Sequence, residues 1–211
     1  MSGDPYSDPV TGVLLNKLGL GSATGLEAAE REITHAALIW LEESPATPTY
    51  DLGHLREIHR RIFGDIYDWA GQIRTVAIAK GATFCLPQYI ESSAAVIFGE
   101  LRGEDFLRGL DRDVFTGRLA YYLGEVNALH PFREGNGRAQ RAFVSQLARD
   151  AGYVLTWQHL DPARNIEASA ASLRGDPKPL RKMLDSLVNS GTRLHWIRRY
   201  GRAGEGRELA R

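Results

Sequence analysis

Positions 130 to 141 of the chain read HPFREGNGRAQR. One dozen residues hold a histidine, an acid, a glycine-rich turn and two arginines three apart. His130 has a side chain whose reference pKa, about 6.5, suits proton abstraction near neutrality. Gly135, Asn136 and Gly137 tolerate positive φ, so successive backbone N–H groups can point into one concavity. If a helix starts there, its free N–H groups and dipole add to the pull on an anion. Arg138 and Arg141 lie one helical turn apart and offer two guanidinium forks, a pairing that suits a polyphosphate. A carboxylate would weaken such a site unless it held a divalent cation shared with phosphate oxygens. Glu134 is read as that magnesium ligand. The run therefore assembles base, metal ligand and phosphate cradle for phosphoryl or nucleotidyl transfer. Each part alone is commonplace in structural roles; their coincidence carries the reading.

The elements that must position this run are mainly helical. A capping box at Thr24 to Glu27 opens a first helix with an apolar face of Ile33, Ala37, Trp40 and Leu41. Asp51 caps a second, which brings Leu55, Ile58 and Ile62 inward and stops at Gly64. Further helices are expected over about 88–102, 113–129 and 137–151. Two more start at the Asp-Pro pairs 161–162 and 176–177. The period breaks in IRTVAIAKGATFCLP (73–87), where two short runs flank Gly81-Ala82 and predict a β-hairpin ended by Pro87. The chemical run sits between two helices: His130 ends one, Pro131 blocks its continuation, and Gly137 opens the next.

Composition bounds the rest. The 211 residues are 43% apolar and 25% charged, with 26 basic and 26 acidic side chains, so no overall field steers the molecule toward nucleic acid or anionic lipid. A direct nucleic-acid partner is not expected. One cysteine excludes an internal disulfide and fits a reducing compartment. The N-terminus shows no secretory pattern and no stretch reaches membrane-spanning length, so a cytoplasmic location is expected. The organisation reads as an arm at 1–23, one domain at 24–190 and an arginine-rich tail at 191–211. Val13, Leu14, Leu15 and Leu18 are the arm's candidate anchors. His54 and His59, five apart, lack the spacing of a zinc site, and Cys85 has no evident base to make it a nucleophile.

The run matches HPFx[DE]GNGRxxR at every specified position and so resembles the Fic (filamentation induced by cAMP) domain family. The likeness extends to DIYDWAGQIR (65–74), the hairpin after it, RLAYYLGEVNALHPF (118–132) and GVLLNKLG (12–19), and covers most of residues 10 to 185. It implies an all-α helical bundle with one small β-hairpin flap. It also implies a protein adenylyltransferase that uses ATP and Mg²⁺ to transfer AMP to a Ser, Thr or Tyr hydroxyl of a target protein, releasing pyrophosphate. On that resemblance His130 is the general base and Glu134, where many members have Asp, the magnesium ligand. Gly135, Asn136 and Gly137 cradle the α- and β-phosphates, and Arg138 and Arg141 meet the outer ones. Phe132 packs in the core. The flap, with Lys80, Thr83, Phe84 and Cys85, pairs with the target backbone as an added strand. Type II topoisomerase subunits are one target class of similar toxins.

Regulation is read from an absence. Many relatives carry [ST]xxxE[GN], whose glutamate pairs with the second motif arginine. Here only Glu134 and Glu205 precede Gly or Asn, and His130 and Gly201 stand four residues before them. The expectation is a bacterial toxin silenced by a small antitoxin that supplies the glutamate in trans. The alternatives are transfer of a different nucleotide or of phosphate, or a nucleotide-binding module without turnover. The related Doc toxins, which transfer phosphate, have lysine where this chain has Gly137.

Overall fold

The computed structural model describes residues 4–190 of the 211. The expected tail, 191–211, lies outside the described residues. Seven helices follow one another: α1 (Ala23–Glu43), α2 (Leu52–Phe63), α3 (Ile90–Gly103), α4 (Arg112–Leu129), α5 (Asn136–Asp150), α6 (Pro162–Leu173) and α7 (Lys178–Leu187). The mainly helical bundle expected from the apolar spacing is borne out.

The caps explain most boundaries. Asp51, Asp111 and Asp161 each accept hydrogen bonds from the first-turn N–H groups of α2, α4 and α6. The start of α1 differs from expectation, because Ser22 and not Thr24 is the cap, accepting from Gly25 N at 3.4 Å. Both hydroxyls were eligible; the choice falls on the one whose own backbone is extended, φ −109° and ψ 128°.

α4 is the central helix. It packs on α3, α5, α6 and α7, and it buries Phe115, Leu119, Tyr122, Leu123, Val126 and Leu129. Burying a side chain of this size stabilises by about 1.5–3 kcal/mol, so this one helix anchors the core. α2 packs on α5 through Leu55, Ile58, Ile62 and Phe63, all fully enclosed. The α4–α5 hinge carrying the motif is therefore clamped from both sides.

Two elements depart from the sequence reading. A two-stranded antiparallel sheet pairs β1 (Tyr153–Leu155) with β2 (Val188–Ser190), which follows α7 directly. At three residues each, the strands are too short for a visible alternation. The expected hairpin at 75–86 is a turn closed by a single bridge, Ala79 with Thr83, made by Phe84 N to Ile78 O at 3.3 Å and Lys80 N to Ala82 O at 3.1 Å. In the arm, Val13 and Leu14 pack on the core as expected and Leu20 joins them, while Leu15 and Leu18 stay exposed.

Candidate active site

The motif bends because His130 and Gly135 both take left-handed backbone conformations. α4 ends with its C-cap His130 at φ 43° and ψ 60°, and α5 begins at Gly135, φ 78°. Between them Asn136 works as a staple: its Oδ1 accepts from Phe132 N at 2.9 Å and its Nδ2 donates to Phe132 O at 2.7 Å. Its side chain is thus turned into the protein, and its backbone N–H, the group expected to cradle an anion, remains for that role. The backbone N–H groups of Asn136 and Gly137 have no acceptor among the described residues. They open a helix, where such donors suit negative charge.

The loop is seated on an aromatic stack that sequence reasoning missed. His59 is fully enclosed between Phe132, 3.9 Å away ring to ring, and Phe63, 4.6 Å away. Its Nδ1 accepts from Gly71 N at 2.9 Å, so its Nε2 carries the hydrogen and donates to the Glu134 carbonyl at 2.9 Å. Burial lowers its pKa to about 4, the Glu134 hydrogen bond opposing and the Arg138 charge assisting, so the ring stays neutral. In the sequence His59 shows only the position of an ordinary core residue on α2; its partner lies 75 residues away.

His130 opens onto a cavity of about 510 Å³. Its Nδ1 faces Asn127 O at 3.2 Å, which leaves Nε2 as the nitrogen able to accept a proton. Phe84 stacks on the ring at 3.8 Å and 18°. Burial depresses the His130 pKa to about 4; the Asn127 contact opposes this, and the charges of Arg74 and Lys80 add to it.

Glu134 lines the same cavity with a half-exposed carboxylate, one oxygen of which accepts from Gly135 N at 2.8 Å. The two arginines part company. Arg141 lines the cavity, and among the described residues it has no carboxylate partner; burial, then the Arg138 charge, lower its pKa. Arg138, expected beside it, faces α1, where it pairs with Glu30, donates to Thr34 Oγ1 at 3.3 Å and lies over Phe63 at 4.7 Å. Three residues along a helix fall about 60° short of a full turn, and that offset separates the pair. Arg138 keeps a 3.5 Å contact with Glu134, so it bears on the acid and not on the cavity.

The flap borders the other rim. Lys80 lines the cavity, while Thr83 is exposed and takes part in the closing bridge. Phe84, expected beside a docked segment, is instead buried against His130. Cys85 anchors the returning limb through its backbone, Cys85 N to Ala128 O at 2.9 Å, and its Sγ lies 3.8 Å from Ser93 Oγ. The same cavity is also lined by Trp157, Ile166, Leu173, Asn165 and Ser169. None of these stood out in the sequence, because they lie beyond the twelve-residue run.

Comparison with known proteins settles the lineage. Residues 49–148 match the profile described as the Fic/DOC family. The chain is 40% identical over 187 residues to "Probable protein adenylyltransferase Fic" of Escherichia coli K12, covering 88% of itself and 92% of that protein. It belongs to the Fic/DOC family. It is also 44% identical over 176 residues to "Protein adenylyltransferase VbhT" of Bartonella schoenbuchensis, covering 83% of itself but 37% of that longer protein. Among solved structures, BepC of Bartonella tribocorum with bound AMPPNP superposes with a TM-score of 0.81 at 22% identity, over 88% of this chain and 96% of that one. That likeness is one of fold. No helix of the described residues is long and apolar enough to cross a membrane.

Proposed function

We infer that this Fic-family chain is a protein adenylyltransferase, transferring AMP from ATP to a hydroxyl of a target protein and releasing pyrophosphate. The observation that carries the inference is the convergence on one cavity of the His130 imidazole, the Glu134 carboxylate, the N–H pair of Asn136 and Gly137, without acceptors among the described residues, and the Arg141 guanidinium. The names of the 40% and 44% identical relatives support it.

The residues divide the work. The N–H pair and the α5 dipole hold the phosphates, and Arg141 meets their outer charge. Among the described residues no three His, Cys, Asp or Glu side chains converge on a metal position. One carboxylate beside a phosphate cradle nonetheless fits magnesium, which keeps several waters and takes few protein ligands. Glu134 would hold it, and when bound the ion supplies neutralisation of phosphate charge. His130 Nε2 removes the proton of the attacking hydroxyl; a positioned base of this kind supplies on the order of 10²–10⁴-fold in rate. Trp157, Ile166 and Leu173 give the nucleotide base an apolar seat, with Asn165 and Ser169 as polar contacts. The flap offers its exposed outer edge to the target backbone.

Arg141, which has no carboxylate partner among the described residues, also supports control by a separate antitoxin, whose glutamate would occupy the guanidinium that a γ-phosphate needs. One experiment tests the core of this reading. The chain and its His130→Ala variant are incubated with bacterial lysate and ATP labelled in turn at the α- and γ-phosphate, with added type II topoisomerase subunits as one candidate target. Label from the α position on protein, absent with the variant, is expected. Label from the γ position alone would mean phosphate transfer and would overturn it.

A further inference from the structure

Arg74 is 1% exposed and yet has no carboxylate partner among the described residues. Its guanidinium is spent on three carbonyl oxygens from three separate stretches of chain. Nε donates to His130 O at 2.8 Å, Nη1 to Val76 O at 2.7 Å and Nη2 to Cys85 O. An enclosed cation without an anion is an expensive way to hold a loop, since desolvation is not repaid by an ion pair. What the fork supplies is geometry: planar donors at fixed spacing, which a lysine cannot reproduce.

Those three carbonyls belong to the base and to the two limbs of the flap. Val76 lies on the outgoing limb and Cys85 on the returning one, and the turn between them has only a single bridge to keep its limbs together. The His130 carbonyl belongs to the left-handed residue that ends α4. The backbone repeats the connection, with Arg74 N donating to Pro131 O at 2.9 Å and Cys85 N to Ala128 O at 2.9 Å. The imidazole is in turn covered on one face by Phe84, the residue next to the clamped Cys85 carbonyl.

We propose that Arg74 is a positioning residue for the transfer step: one buried fork fixes the distance between the flap and the His130 ring. The proposal rests on the adenylyltransferase reading, because the flap edge is where that reading seats the attacking hydroxyl. The phosphate cradle hangs on different supports, His59 and the Asn136 staple, so loosening Arg74 leaves the triphosphate in place.

The test uses the full chain and its Arg74→Lys variant, which keeps the charge and much of the stem but loses the fork. At saturating ATP, transfer of α-label to lysate protein falls about 100-fold, the scale of a 1 Å misplacement. ATP affinity by calorimetry stays within about twofold of wild type. In two-bond ¹H–¹⁵N spectra, the wild-type His130 ring shows one tautomer and upfield shifts from the Phe84 stack. In the folded variant those shifts collapse toward the values seen in Phe84→Ala. A variant that binds ATP normally and keeps the wild-type His130 spectrum overturns the proposal, as does parallel loss of ATP binding in a folded protein. Should Arg74→Lys fail to fold, the wild type alone decides: separate, slowly averaged Nη resonances for Arg74 support the clamp, and freely averaged ones overturn it. These spectra are independent of turnover, so absence of α-label from the wild type would count against the function and not against the clamp.

Discussion

Gly135→Ala puts the seating of the phosphate loop to a quantitative test. Gly135 holds φ 78°, where an L side chain costs about 1–2 kcal/mol. A Cβ there would also run into the Phe63 ring, with even the farthest of its three nearest ring atoms 2.9 Å away. Carbon atoms prefer about 3.5–4.0 Å, so loop and ring must part by about an ångström or more. The ring cannot retreat, because His59 stacks on it at 4.6 Å and the Arg138 guanidinium lies over it at 4.7 Å. Overpacking of this kind adds about 1–3 kcal/mol, for a total of about 2–5 kcal/mol in urea unfolding. The loop yields outward, and transfer falls about 10²-fold. A double-mutant cycle identifies the cause. Phe63→Leu removes the ring that the new methyl would strike, so the pair should be less harmful than the sum by about 1–3 kcal/mol. Additive effects on both stability and transfer would show that Gly135 matters only for its φ, and that the aromatic seat plays no part.

The remaining predictions are shorter. His59 folds with a pKa near 4 against about 6.5 when unfolded, so the unfolded chain binds more protons below 6.5 and stability drains away as pH falls toward 4. His59 alone accounts for about 2 kcal/mol between pH 7 and 5, and the burial-lowered pKa of His54 acts in the same direction, readable as a falling urea midpoint. With its pKa also near 4, free-enzyme His130 stays neutral well into the acid range. The acid limb of kcat/KM for ATP therefore lies below about pH 5, and a break near 6.5 would contradict the buried, Phe84-covered ring. Glu30→Gln frees Arg138 from its partner on α1 and should raise the magnesium requirement of transfer, measured by titrating the ion at fixed ATP, because Arg138 then turns fully to Glu134. Asp4→Ala breaks a partly exposed pair with Arg133, a loss of about 1 kcal/mol or less in thermal unfolding.

The sequence made the chemistry legible because the chemistry is local. His130, Glu134, Gly137 and Arg141 share one loop and one helical turn, and all four reach the same cavity. Aspartate caps and apolar spacing likewise announced the helices, since a cap acts within three residues and a stripe within two turns. The supports escaped because their partners are distant in sequence: His59 meets Glu134 across 75 residues, Arg74 meets His130 across 56, and Arg138 meets Glu30 across 108. The flap misled for a related reason. A two-residue period around Gly81 suggested a ladder, yet the limbs are tied at their root by a side chain, which no periodicity records. Asn136 illustrates the limit of motif reading, because its place in a phosphate-binding run gave no hint that its amide faces inward.

The wall of Trp157, Asn165, Ile166, Ser169 and Leu173 belongs to the stretch between β1 and β2, which also holds α7, and the β1–β2 pairing brings the ends of that stretch together. On the proposed function, chemistry and choice of nucleotide are carried by separate stretches of the sequence. On that reading a lineage could exchange one purine for another, or abandon purines, by rewriting positions on the 157–173 wall while the twelve-residue run stays untouched.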